Sequence, residues 1–261
     1  MVNIVPITKK IFLDRKWLAS DNYKFSAHLA TATLAIGEIS QAMRSLPIGF
    51  VQYDGYFTVV AILGLNQGEN LFVSEKGNWL TGYKPAIFRS YPFSLRPGTK
   101  DQMLLSFDED SLSNSDVIPT NRFYDDNGDI SEQTKGIMSF LYEVHNSYNR
   151  TVQICKTIDS YNLFDKWNIS INRNNKQIQI DGIYKINEDV FRTLDGDALL
   201  KLNKVSALGL IYAHIFSGAN INLLEKLANY NDSKIDKKLE NLKYVEQFFS
   251  SQDDNLDFSK L

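Results

Sequence analysis

The spacing of apolar residues changes character near the middle of the chain. In the first half they come in short alternating or continuous runs, the mark of half-buried and buried strands. In the second half they recur at the period of a helix face. The chain opens on Ile4-Val5-Pro6-Ile7, a strand that Pro6 confines to a sheet edge because proline lacks an N–H for a second neighbour. Residues 23–29 alternate well enough for another strand. Ile36, Ile39, Met43 and Leu46 share one face of a short amphipathic helix that Pro47 ends. Residues 48–53 and 57–63 form a hairpin about Asp54-Gly55, a pair suited to the positive φ angles of a tight turn. A strand over 70–74, a turn at Glu75-Lys76-Gly77-Asn78, a short helix begun by Pro85 and stopped by Pro92, and a strand over 102–107 complete this half.

From 110 to 121 Ser, Asn, Asp and Pro displace the apolar residues, which predicts a loop or linker. Beyond it, residues 131–161 predict one long helix capped by Ser131, with Ile137, Phe140, Leu141, Val144, Tyr148, Val152 and Cys155 along one face. A second hairpin, 166–171 with 177–184, turns through 172–176. Short helices are predicted at 198–202, 208–216 and 221–230. A longer one at 234–249 carries Ile235, Leu239, Leu242, Val245 and Phe249 on its apolar side. The whole pattern is an α+β fold: a β-rich N-terminal half with hairpins and a mainly helical C-terminal half, packed as one unit over 1–261. A subdivision at the loop would give a β-rich part over 1–110 and a helical part with one β-hairpin over 122–250.

Composition narrows the function classes. With 261 residues, 43% of them hydrophobic and 23% charged, the chain can bury a large core. Its formal charge of −3 gives no electrostatic reason to bind nucleic acid or an anionic membrane. Cys155 is the only cysteine, which excludes an internal disulfide and predicts a small buried side chain within a helix. Lys9-Lys10 follow the first apolar run instead of preceding it, unlike a signal peptide. The apolar run at 59–65 is far shorter than the ~20 residues of a membrane span. The chain reads as cytoplasmic, with export through an uncleaved C-terminal signal as the alternative.

The sequence contains no glycine-rich nucleotide fingerprint, no phosphate-binding loop, no nucleophile elbow and no His-Glu-x-x-His motif. His28, His145 and His214 are far apart and lack an acidic or cysteine partner at metal-ligand spacing. Asp125-Asp126-Asn127-Gly128-Asp129 has the composition of a calcium loop but places its glycine too early and lacks the closing glutamate, so a tight turn explains it better. No catalytic residue, metal ligand or cofactor is assigned. Residues 63–93 stand apart. They are dense in glycine and aromatics, and Lys84, Arg89, Arg96 and Lys100 interleave with Tyr83, Phe88, Tyr91 and Phe93. Most of these serve turns and packing; Glu69, Trp79, Tyr83, Arg89 and Tyr91 are the candidate binding residues.

The run 63–73, then Gly77-Asn78-Trp79, Tyr83, Pro85 and Arg89-Ser90-Tyr91-Pro92-Phe93, resembles the hallmark block of the SapC family. Ile4-Val5-Pro6-Ile7, Glu38, Leu46-Pro47-Ile48-Gly49-Phe50, residues 123–128, Asp181-Gly182-Ile183-Tyr184 and Ile211-Tyr212-Ala213-His214 resemble its other elements in order. Ser90 stands where a second arginine is common, and Gly49 where an aliphatic residue is usual. The family is named for a bacterial surface-layer system, and its members lie near genes for halogenases, oxygenases and outer-membrane receptors. The resemblance brings no catalytic residues. It implies an accessory or binding protein of the surface layer or envelope, whose protein partner is a surface-layer, export or biosynthetic component. An enzyme or enzyme partner acting on a peptide or small aromatic substrate, and a component of a larger assembly, are the alternatives.

Overall fold

A computed structural model describes residues 3–19, 21–80, 82–99, 102–113 and 118–250, without the side chains of 113, 235–236 and 238–250. Lys100, the side chains of the apolar face from Ile235 to Phe249 and residues 251–261 therefore lie outside what is described. The first half runs β1 (Ile4–Pro6), α1 (Lys9–Phe12), β2 (Lys16–Trp17), β3 (Thr31–Thr33), α2 (Ile39–Ala42), β4 (Ile48–Tyr53), β5 (Tyr56–Ile62), α3 (Ala86–Arg89), β6 (Phe93–Pro97) and β7 (Met103–Asp108). The second runs α4 (Asp110–Ser113), β8 (Asn121–Arg122), α5 (Glu132–Asp159), β9 (Phe164–Lys166), β10 (Ile169–Arg173), β11 (Lys176–Ile180), β12 (Tyr184–Ile186), α6 (Glu188–Arg192), α7 (Gly196–Lys204), α8 (Ala207–Ser217) and α9 (Ile221–Ser250). The protein is α+β, with antiparallel strands concentrated in the N-terminal half and helices in the C-terminal half.

A five-stranded sheet of order β3-β5-β4-β12-β9 and a three-stranded sheet of order β1-β7-β6 form the β layers. The β4–β5 hairpin turns at Asp54-Gly55 with φ of 47° and 80°, as the sequence predicts. Gly49 within β4 also has a steric reason: a Cβ there would meet Ile183 Cγ2 at 2.7 Å, so a larger residue would have to displace Ile183. Pro6 lies on an edge strand, as expected.

Two apolar clusters form behind the sheets. The larger gathers Leu34, Phe50, Ile62 and Leu63 with Ile154 and Ile158 of α5 and Leu210 and Ile211 of α8. The smaller is aromatic: Phe12, Trp17, Phe93, Phe107 and Phe123 close on one another and on Leu141 of α5. Helix α5 thus serves both clusters, one from each end. Its Ser131 cap accepts the Thr134 N–H. Of its predicted apolar face, Leu141 and Cys155 are buried, while Phe140, Val144 and Tyr148 are half-buried.

Three local expectations give way and one strand is added. Residues 23–29 curl into a 3-10 turn at Lys24–Ser26 instead of a strand. Asn22 accepts the Lys24 N–H, and Asn70 bonds the Ala27 and Ser26 carbonyls, so polar side chains hold the bend. Residues 70–74 contribute one isolated bridge, Val73 to Trp79. The stretch 93–97, unassigned from sequence, is strand β6. Finally, the two last predicted helices are one: Asn229 and Asp232 face the β10–β11 hairpin and bond Asn174 and Arg173 without interrupting α9. The run Ala207–Lys234 has the length and apolarity of a membrane-crossing helix. Leu210, Ile211, Leu224 and Ala228 within it nonetheless pack into the larger cluster.

Candidate functional site

The five candidate residues separate into three places. Trp79 and Tyr91 belong to an aromatic layer. Trp79 stacks on Phe72 at 5.5 Å and meets Tyr23 and Phe88 edge-on. Tyr91 lies flat on Phe25 at 3.8 Å, and its hydroxyl donates to Asp108 at 3.1 Å. Burial and the Asp108 charge push the Tyr91 hydroxyl well above the usual phenol range.

Glu69 lies elsewhere. It accepts from Arg173 Nη1 at 2.8 Å, while Arg173 also grips Asp232 through Nε and Nη2. The Arg173 bond holds the Asp232 carboxyl below its ordinary range. A depression of about 480 Å³ with Lys76 and Lys234 on its rim opens beside this network. Its central charges are already joined to each other, and the network ties β10–β11 to α9.

Tyr83 and Arg89 come together around a residue that sequence reasoning passed over as a site, Glu38. Arg89 Nη2 donates to the Tyr83 hydroxyl at 2.9 Å, and the guanidinium lies 5.4 Å from the Tyr83 ring and 5.1 Å from that of Phe140. The Tyr83 hydroxyl also bonds Glu38. Glu38 Oε1 accepts the Ala35 N–H and Oε2 the Ala86 N–H, each at 2.8 Å. One buried carboxylate therefore locks the start of the 36–46 helical segment to the start of α3. Burial raises the Glu38 pKa against the lowering effect of these donors, and burial beside Glu38 lifts Tyr83 to about 12. Two hydroxyls of α5 fix the same segment: Thr151 Oγ1 accepts the Ile36 N–H and Ser147 Oγ the Gly37 N–H.

Two adjoining depressions flank this lock, and Ala35, Glu38 and Val144 border both. One, of about 470 Å³, has Tyr83, Arg89 and Phe140 on its wall. The other, of about 380 Å³, is more apolar and is bounded by β6, by Thr33 of β3 and by Leu141, Val144 and Tyr148 of α5. They form a groove over the half-buried middle of α5, where the two apolar clusters part. Its aromatic-flanked arginine and half-buried apolar floor suit the binding of a polar, extended surface. The other titratable candidates are embedded in packing. Cys155 is fully buried and its thiol is pushed up to about 12, chiefly by burial. His214 bonds the Ile48 carbonyl and the Ile186 N–H, and burial lowers it to about 4. Asp125 Oδ1 accepts the Asn127 and Asp129 N–H groups, an internal turn, as its composition suggested. No cluster of metal-ligating side chains occurs among the described residues.

The family model for SapC matches residues 7–224. No curated protein and no solved structure matches the chain.

Proposed function

Because the chain belongs to the SapC family, we propose that it is a non-enzymatic accessory protein of bacterial surface-layer or envelope biology that binds a protein partner in the groove over α5. The observation that carries this reading is the state of Glu38, the carboxylate bordering both halves of the groove. Its two oxygens hold backbone N–H groups of the walls and the Tyr83 hydroxyl. A residue so committed shapes a surface and is poorly placed to take up a substrate proton. The groove it shapes is open and partly apolar, which suits a chain segment better than an enclosed small molecule.

The test is a photo-crosslink. Ile87 borders the groove and is 51% exposed. A photoreactive phenylalanine analogue replaces it in the full chain, produced in a bacterium that carries a surface layer. Adducts with a surface-layer, export or other envelope protein are expected. Adducts restricted to biosynthetic enzymes such as a halogenase or oxygenase would replace this reading with that of an enzyme partner. An absence of adducts would overturn it.

A further inference from the structure

The more apolar half of the groove lies between two strands that each end a sheet, β6 and β3. The direction of their backbone groups follows from the ladders. Leu105 of β7 accepts the Ile7 N–H at 2.9 Å, so its backbone faces β1. Its antiparallel partner Leu95 therefore turns its own N–H and C=O away from β7. The bonds from Asp108 N–H to the Pro92 carbonyl and from Gly98 N–H to the Gln102 carbonyl fit the same alternation. On β3, Leu34 N–H donates to Val59 and the Ala30 carbonyl accepts from Leu63, so Thr33 likewise turns its backbone away from β5. Leu95 and Thr33 both border the depression. So does Ser94, whose buried Oγ has no hydrogen-bond partner among the described residues.

Resting on the binding reading above, we infer that this depression takes an extended, carboxylate-bearing segment of the partner protein, which adds as a strand to the free edge of β6. An exposed edge offers N–H and C=O groups in alternation, a pattern matched by another extended chain. Charge selects an acidic one. Arg96 borders the depression and forms no ion pair among the described residues, and His145 lies on the opposite wall from α5. Among the described residues Glu38 is the one carboxylate bordering the depression, and it is committed to its own donors. Glu143 borders only the adjoining depression, which places the partner's carboxylate at the Arg96 end.

The probes are fluorescent peptides of about six residues, a usual strand length, alternating Val and Thr around one Asp. Companions carry Lys for Asp, or N-methyl groups on the odd or the even amides. With the full chain, fluorescence anisotropy is expected to show that the Asp peptide binds at least about tenfold more tightly than the Lys peptide. One N-methyl register should lose binding and the other keep it, because only alternate amides of an added strand face its neighbour. Leu95→Pro removes the outward N–H without removing a bond to β7, so it should weaken the Asp peptide about tenfold with the circular dichroism unchanged. Arg96→Glu should reverse the charge preference. If both N-methyl registers bind like the parent, or if no peptide binds, strand addition is wrong; should Leu95→Pro fail to fold, the N-methyl pair on the unaltered chain decides. Envelope crosslinks at Ile87 together with peptide failure would leave the binding reading standing and remove this mode alone.

Discussion

His214 and Glu38 are two buried titratable groups whose pH effects run in opposite directions. The imidazole sits between Phe50 and Trp167, with the Ile48 carbonyl and Ile186 N–H taking its two nitrogens. Its pKa falls from 6.5 to about 4 on folding, so the unfolded chain takes up the proton first. The stability this contributes is fully present above pH 6.5 and is lost as the pH falls through about 4, a change of ~3 kcal/mol. Glu38 is raised from 4.5, so its contribution is present below that value and is lost as pH rises through its folded pKa. Urea unfolding of His214→Asn near neutral pH and near pH 4 separates them. The variant is expected to be less stable at neutrality and to lose less on acidification than the parent; an unchanged acid slope would refute the assignment. Neither role was legible in the sequence. His214 stood among apolar residues without a partner in reach, because both its partners are more than twenty positions away. Glu38 stands out only through the family resemblance, which carries nothing about the backbone groups it holds.

At the scale of elements, legibility followed the distance over which each is determined. The β4–β5 turn and the α5 cap are fixed by adjacent residues, and both were read correctly. Residues 23–29 were misread because Tyr23 and Phe25 have strand character, while the bonds that bend them come from Asn70. Strand β6 was missed because Pro92 and Pro97 bracket it like a loop; those prolines are the signature of an edge. The β10–β11 hairpin pairs with no other strand among the described residues, and isolated hairpins are marginal in water. Its support is the burial of Ile169, Ile171 and Ile180 in the larger cluster, together with Arg173, joined to Glu69 and Asp232 with side chains 20%, 26% and 14% exposed. Arg173→Ala is expected to cost about 2 kcal/mol, reduced from a fully buried pair by this partial exposure. Hydrogen exchange should quicken in Ile169–Arg173 and Lys176–Ile180 before the five-stranded sheet. Exchange that quickens equally everywhere would show that the tie is not local.

At the scale of the whole molecule, α5 is the beam between two apolar clusters, with Leu141 in the aromatic one and Ile154 and Ile158 in the larger. A continuous helix ~42 Å long transmits the loss of either end to the other. Phe107 is fully buried against Phe12, Phe93 and Phe123. Phe107→Ala should therefore destabilise by about 3–5 kcal/mol and still unfold in one transition. Trp17 reports the aromatic cluster and Trp167 packs on the larger one. Single-tryptophan versions that melt at different urea concentrations would reveal two separately folding parts. The sequence anticipated the α+β division but could not place the groove, because strand order in a sheet joins residues far apart along the chain.

Pro97 closes β6 one position after Arg96, and it has a consequence for how the molecule lives at high concentration. An open strand edge invites the nearest identical edge, and many copies of one protein supply each other with such edges in abundance. Proline offers no hydrogen at the next outward position, and the arginine beside it repels its own counterpart. The edge is thus long enough for a brief visitor and too short and too charged to seed a stack of its own kind. Pro97, one of the two prolines that disguise the strand in the sequence, thus also sets the limit of the edge it leaves open.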